Sequence, residues 1–310
     1  MRTALAAALL FAPISGSAQD TRTDAWLTSP VDDATFRTYL QFFAYNDRLS
    51  FDAVTGERVE RDGVVREHLT FISTPGLRVT AYVYRSADAG RAAGRGGVIF
   101  LHGGVAAGKG SRTMSYISGL LARDGWTVLT IDLLHYGERT TDVLTTFTTQ
   151  EKAKRLYNEP STYLEFVTQT VKDVSRAYDY LTRVQGVDST RVVLVGFSRG
   201  AVLSSIAGAA DPRLSAVALL HGGHMGLLVE EHRSAACPAN YLGRISPRPV
   251  LMLNTKNDGY FLPETQIRPW MAAAKEPLTV HWVDGPHGFF SEGDLAVVLE
   301  WLREVTTTGH

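Results

Sequence analysis

The chain has 310 residues, with 31 Lys and Arg against 32 Asp and Glu, 45% hydrophobic and 20% charged residues, and a single cysteine. A formal charge of -1 lacks the concentrated excess of Lys and Arg that displaces phosphate counterions, which excludes nucleic acid as a partner. The apolar fraction is that of a chain that buries a core, and Cys237 alone forms no internal disulfide. No Cys/His spacing marks a structural zinc, so no metal is expected.

Met1-Arg2-Thr3 gives a short basic start, residues 4–14 an apolar run, and Gly16-Ser17-Ala18 a small-residue site suited to signal peptidase. Residues 1–18 are therefore read as a signal peptide and the mature chain as secreted or periplasmic. A buried first helix is the competing reading, which Pro13 disfavours. No later stretch reaches the roughly 18 continuous apolar residues of a membrane span. In the extension over residues 19–60, Ser29-Pro30-Val31-Asp32 combines an N-cap, a proline at the first helical position and an acid in the first turn. Phe36, Leu40 and Phe43 follow at helical spacing, which predicts a helix.

The main domain is expected over residues 61–310. Residues 64–71 and 78–85 alternate or carry β-branched and aromatic residues about Pro75-Gly76, which predicts a hairpin. Continuous apolar runs follow at 98–101, 127–131, 192–195, 216–220, 250–253 and 279–283. Such runs suit strands covered on both faces. Helical patterns lie between them at 112–123, 162–184, 199–209, 263–274 and 291–306. The order predicts an α/β fold: a mostly parallel central sheet with helices on both faces and antiparallel strands at its start.

Gly196-Phe197-Ser198-Arg199-Gly200 sits between a predicted strand and a predicted helix of small residues. A nucleophilic serine at the tip of a sharp, strained turn needs glycines on either side, where other side chains would clash. The same glycines would also serve plain close packing of strand on helix. An acid and a histidine should follow in that order. Asp258, in the polar turn after the run at 250–253, is the candidate acid, although an Asp-Gly turn alone would explain it. His287, between Gly285 and Gly288 ahead of the last helix, is the candidate base. His68 and His281 fall within strands, His102 and His221 at strand ends, His232 in a long loop and His310 at the terminus. For an oxyanion, the backbone N–H of Arg199 and that of Gly104, with Gly103 second, are the expected donors, from the Leu101-His102-Gly103-Gly104 passage.

Taken together, strand-HGG, GxSxG, a later Asp and a late His resemble the α/β-hydrolase superfamily over about residues 64–306. Thr130-Ile131-Asp132 with Tyr136-Gly137-Glu138-Arg139, and Asp173, Tyr178-Asp179-Tyr180-Leu181, Asp188 and Arg191 leading into the serine motif, are similar to the dienelactone-hydrolase and acetyl-esterase branch. Dienelactone hydrolases proper carry cysteine as nucleophile, so serine here implies a serine esterase: a secreted enzyme that cleaves small-molecule esters through an acyl-enzyme and needs no cofactor. A peptidase of the prolyl-oligopeptidase type is the alternative enzyme, and a noncatalytic or nucleotide-binding α/β protein the alternative of another class. The third glycine of the HGGG lipases is missing.

Residues 103–109 nearly spell a phosphate-binding loop, but position 110 is Gly where a hydroxyl should hold magnesium, and Ser111 comes one residue late. His221-Gly222-Gly223-His224 offers two metal ligands and no third. Residues 222–247, with Met225, Leu227, Leu228, Val229 and Tyr241, are a candidate lid, as are 140–160. Tyr260, Phe261 and Phe289 are candidates to line the site. The Arg199 side chain would bind an acidic group of the substrate or, more commonly for an arginine, form a surface ion pair. A near-zero net charge points to an uncharged ester. The oligomeric state is left open.

Overall fold

The computed structural model describes residues 24–88, 96–225 and 233–307. The expected signal peptide, Leu227, Leu228, Val229, His232 and His310 thus lie outside the described residues. The strands are β1 (Val54–Arg61), β2 (Val64–Thr74), β3 (Leu77–Ser86), β4 (Gly97–Leu101), β5 (Thr127–Ile131), β6 (Val192–Phe197), β7 (Ala216–Leu220), β8 (Val250–Thr255) and β9 (Leu278–Val283). They form one nine-stranded sheet in the order β1-β2-β3-β5-β4-β6-β7-β8-β9. Pairing is antiparallel from β1 through β3 to β5 and parallel from β5 to β9. This is the expected α/β architecture.

The helices are α1 (Ala25–Thr28), α2 (Asp33–Leu40), α3 (Arg112–Arg123), α4 (Thr149–Lys152), α5 (Pro160–Arg183), α6 (Arg199–Ala210), α7 (Arg268–Ala273) and α8 (Glu292–Thr307). The continuous apolar runs divide their side chains between two cores. Ile99, Leu101, Leu129, Leu194, Val217 and Met252 face one side and pack under α5 and α6. Val98, Phe100, Val128, Val195, Ala218 and Leu253 face the other and pack under α3 and α8. Strands β4 to β8 are buried along their whole length because both of their faces are covered, whereas β9 is the edge of the sheet, with Thr279 and Val280 exposed, so the expectation of a strand covered on both faces fails at 279–283.

Three local expectations change. The helix expected after Ser29 is α2 and begins at Asp33, with Asp32 as N-cap accepting from the Thr35 amide at 2.7 Å. Ser29 instead closes α1, and the Val31 amide is taken by Asn240 Oδ1 at 3.0 Å, which holds residues 30 and 31 outside the helix. The segment 263–274 is a π turn, Pro263–Ile267, followed by α7, because Pro269 has no N–H to continue an α-helical ladder. Strand β1 precedes the hairpin. Its side chains are almost all exposed, and Glu57, Arg58, Glu60 and Arg61 make it a charged edge rather than an apolar run.

Candidate active site

Strand β6 delivers its chain into a turn with no room. Ser198 adopts φ +54° and ψ −115°, a strained conformation for a residue with a Cβ, and α6 starts at the next residue. A Cβ on Gly196 would fall 2.3 Å from the Gly200 carbonyl oxygen, and one on Gly200 would fall 2.2 Å from that of Leu101. Both glycines are therefore required by close approach. The Ser198 amide donates to the Leu220 carbonyl at 2.8 Å, clamping the turn to β7.

The ends of β8 and β9 bring two further groups to this turn. A short turn closed by the Phe289 amide on the Pro286 carbonyl, flanked by Gly285 (φ +145°) and Gly288 (φ +79°), presents His287. Its Nε2 lies 2.9 Å from Ser198 Oγ and its Nδ1 lies 2.7 Å from Asp258 Oδ2. The other Asp258 oxygen accepts from the amides of Tyr260 at 2.7 Å and Phe261 at 2.9 Å. Burial opposes ionisation of Asp258, but the His287 imidazole and these two amides outweigh it and hold the carboxyl below its ordinary range. Being ionised, Asp258 accepts from Nδ1–H, which leaves Nε2 free to accept the serine proton.

The first parallel strand, β4, ends beside the same turn. His102 is fully buried: its Nδ1–H donates to the Gly103 carbonyl at 2.6 Å and its Nε2 accepts from the Leu133 amide at 3.0 Å. That pair of bonds fixes the glycine loop. Gly103 abuts Ser198, since a Cβ there would lie 3.3 Å from the serine Cβ, and Gly104 faces Arg199, whose Cβ would be 3.9 Å away. The Arg199 amide, first in α6, has no acceptor within its own helix. The sequence-derived donors thus stand on two sides of the serine.

Other singled-out residues have different settings. Lys109 is buried with its Nζ 2.6 Å from both Asp132 and Glu138, and Ser111 caps α3 through the Met114 amide, so neither is presented to a phosphate. His221 and His224 diverge: His221 lies against His287, while His224 Nε2 is 2.9 Å from Asp24. Among the described residues, two groups have donor atoms close enough for a cation, Asp24 with His224 and Cys237, and His221 with Asp258 and His287. Burial, with Asp24 adding to it, pushes the Cys237 thiol up. Tyr241 is fully buried against Phe36 and Phe43 and belongs to the core rather than to a lid. Phe261 is buried, whereas Tyr260 and Phe289 are exposed, the Tyr260 ring 4.8 Å from that of His287. Arg199 forms no surface ion pair among the described residues: only 5% of it is exposed, and its guanidinium lies 4.0 Å over the Tyr157 ring. Sequence reasoning missed Tyr136, Tyr157 and Tyr163 around it, since nothing in their spacing places three separate segments about one arginine.

Residues 98–309 match the model of the alpha/beta hydrolase family, and the chain belongs to that family. No protein of curated function matches it. Among solved structures it is similar to methylesterase BT1017, with 18% identity and a TM-score of 0.66, covering 91% of this chain and 66% of that one, so it spans just under two thirds of that protein. It is also similar to acetyl xylan esterase 1 from Thermoanaerobacterium sp. JW/SL YS485, with 16% identity and a TM-score of 0.64, covering 89% and 95% of the two chains. A third similar structure is the acetyl xylan esterase from Paenibacillus sp. R4, with 16% identity and a TM-score of 0.65, covering 90% and 98%.

Proposed function

We propose that this protein is a serine hydrolase of carboxylic esters in which Ser198, His287 and Asp258 form the catalytic triad. The observation that carries the reading is the pair of hydrogen bonds linking a strained serine, an imidazole and an ionised carboxylate, 2.9 and 2.7 Å long. The similar structures named above as esterases share the fold and support the reaction class.

In the reaction, Ser198 Oγ attacks the ester carbonyl while His287 Nε2 takes its proton. Asp258 holds the tautomer and stabilises the imidazolium. The N–H groups of Arg199 and Gly104, with Gly103 as second choice for the latter, receive the charge that develops on the carbonyl oxygen. Collapse of the tetrahedral intermediate transfers the His287 proton to the leaving alkoxide and leaves an acyl-serine. Water, activated by the same imidazole, releases the acid and restores the serine. Side chains, backbone N–H groups and water carry every step.

A panel of 4-nitrophenyl esters of increasing chain length plus a peptide amide, run on wild type and Ser198→Ala, tests this. Ester turnover lost in the variant is the expected result; undiminished turnover overturns the assignment, and a preference for the amide favours a peptidase. Residues 1–18 are read as an export signal. Among the described residues no helix is long and apolar enough to cross a membrane. A mature protein beginning at Gln19, found by N-terminal sequencing of the exported product, is the expected outcome.

A further inference from the structure

We propose that the ester taken up beside Ser198 carries a carboxylate, and that the Arg199 side chain reads it. The inference rests on the ester-hydrolase reading and narrows its substrate class.

The chain has three buried arginines among the described residues, Arg139, Arg176 and Arg199. Two are matched: Arg139 Nη1 lies 2.6 Å from Asp173 and Arg176 Nη1 lies 3.6 Å from Asp179. Arg199 has no such partner among the described residues. Its Nη2 faces the Met225 sulfur, its Nη1 is buried without any hydrogen-bond partner, and the neighbours that favour its charge are the hydroxyls of Tyr157, Tyr163 and Tyr136. A guanidinium is always charged, and leaving it buried without a counter-ion is costly. A buried charge of this kind beside a nucleophile marks a candidate ligand site.

The location supplies the ligand's identity. Arg199 is the residue after the nucleophile, and its head lies over Tyr157, whose hydroxyl is within 3.6 Å of where a Gly104 Cβ would be. A second cation joins it there: Lys152 Nζ donates to the Gly104 carbonyl at 3.1 Å. The adjacent Glu151 does not neutralise either cation, because its carboxylate is engaged by the amides and hydroxyls of residues 145–147. Two positive groups and a pair of tyrosine hydroxyls 3.4 Å apart thus surround the glycine loop, with no acid paired to either cation among the described residues. The planar fork of a guanidinium matches a carboxylate with two parallel N–H donors. The uncharged ester indicated by net charge gives way to an anionic one, because net charge sums the whole surface and this site is locally cationic.

The test compares two isosteric pairs: 4-nitrophenyl hemisuccinate against 4-nitrophenyl 4-methylpentanoate, and carboxymethyl acetate against isobutyl acetate. Wild type should favour the anionic member of at least one pair. Arg199→Met should lower the ratio of kcat/KM for that member to kcat/KM for its neutral partner by about 10- to 150-fold, the span of one lost charged hydrogen bond. Arg199→Lys should recover part of the loss. Equal loss on both members would make the side chain part of the oxyanion site and overturn the inference, as would an unchanged preference. Binding is read separately on Ser198→Ala, whose melting temperature should rise with monomethyl succinate and cease to do so when Arg199→Met is added. Turnover of neutral esters without that response sinks the anion site alone. The response without turnover of any ester sinks the hydrolase reading alone.

Discussion

The imidazole of His221 stands edge-on to that of His287, ring centroids 5.5 Å apart and planes at 81°, with its Nδ1 turned to the Gly288 amide at 3.4 Å. His221 is fully buried at φ +50°, and the Phe290 ring closes its other side at 4.6 Å. One histidine thus backs the turn that presents the other, and it does so uncharged. Burial, and then the neighbouring charge of His287, lower its pKa to about 3.

Stability should therefore fall as the solution is acidified. His135 is likewise lowered to about 4, first by burial and then by Arg139. Below about pH 6.5 the unfolded chain protonates both histidines and the folded chain neither, so the unfolded state binds more protons and gains in relative stability down to about pH 4. The melting temperature measured across this window should drop steadily. His221→Gln should flatten the dependence by up to about 1.4 kcal/mol per pH unit, whatever it does to stability at neutral pH. An unaltered slope would contradict a neutral buried His221.

Asp258→Asn should keep the fold and lower kcat by about 10⁴ with little change in KM, because an amide in this place no longer enforces the Nδ1–H tautomer. Stopped assays with a 4-nitrophenyl ester, alongside a melting curve, distinguish this from unfolding. A loss below tenfold would show that some other group orients His287.

The two glycines of the proposed oxyanion loop should differ. A methyl on Gly103 would meet the Phe197 ring at 3.2 Å and Ser198 Cβ at 3.3 Å, tighter than ordinary contact, whereas one on Gly104 would have its nearest neighbour at 3.6 Å. Gly103→Ala should lower kcat at least tenfold by pressing on the serine turn, within the range of disturbing one oxyanion donor. Gly104→Ala, which keeps its N–H, should stay within a few-fold of wild type. The reverse order would reassign the loop geometry.

Lys109→Met should destabilise the chain by about 3–5 kcal/mol, the cost of leaving a buried charge without its partner. Asp132 is fully buried, and it also accepts from the amides of Lys109 and Glu138 and from the Thr80 hydroxyl. Urea unfolding would measure the loss, and adding Asp132→Asn should restore part of it. A change under 1 kcal/mol would mean that the pair is dispensable.

Much of the fold is legible because the physics is local. Strands β4 to β8 are continuous apolar runs, which sandwiching between two helical layers demands, and α3 begins and ends where its Ser111 cap and Asp124 set it. That Ser198, Asp258 and His287 meet was readable from glycine placement and from the positions of strand ends. Strand β1 was not, because an exposed edge strand needs charge rather than apolar residues. Nor was the burial of Arg199 or Lys109, since long cationic side chains are buried by partners that tertiary contacts supply: tyrosines from three segments in one case, two acids in the other.

The amino-terminal segment is fastened to residues made much later. Asp24 bonds to His224 and Val31 to Asn240, pairs separated by 200 and 209 positions, and Tyr241 is packed beneath Phe36 and Phe43. At a synthesis rate of about 5–20 residues per second, those first helices wait roughly 10–40 s for the surface that covers them. During that interval Phe36 and Phe43 lack their aromatic partner, so the nascent chain offers a holding chaperone an apolar stretch near its leading end, and withdraws it when the region around Tyr241 arrives.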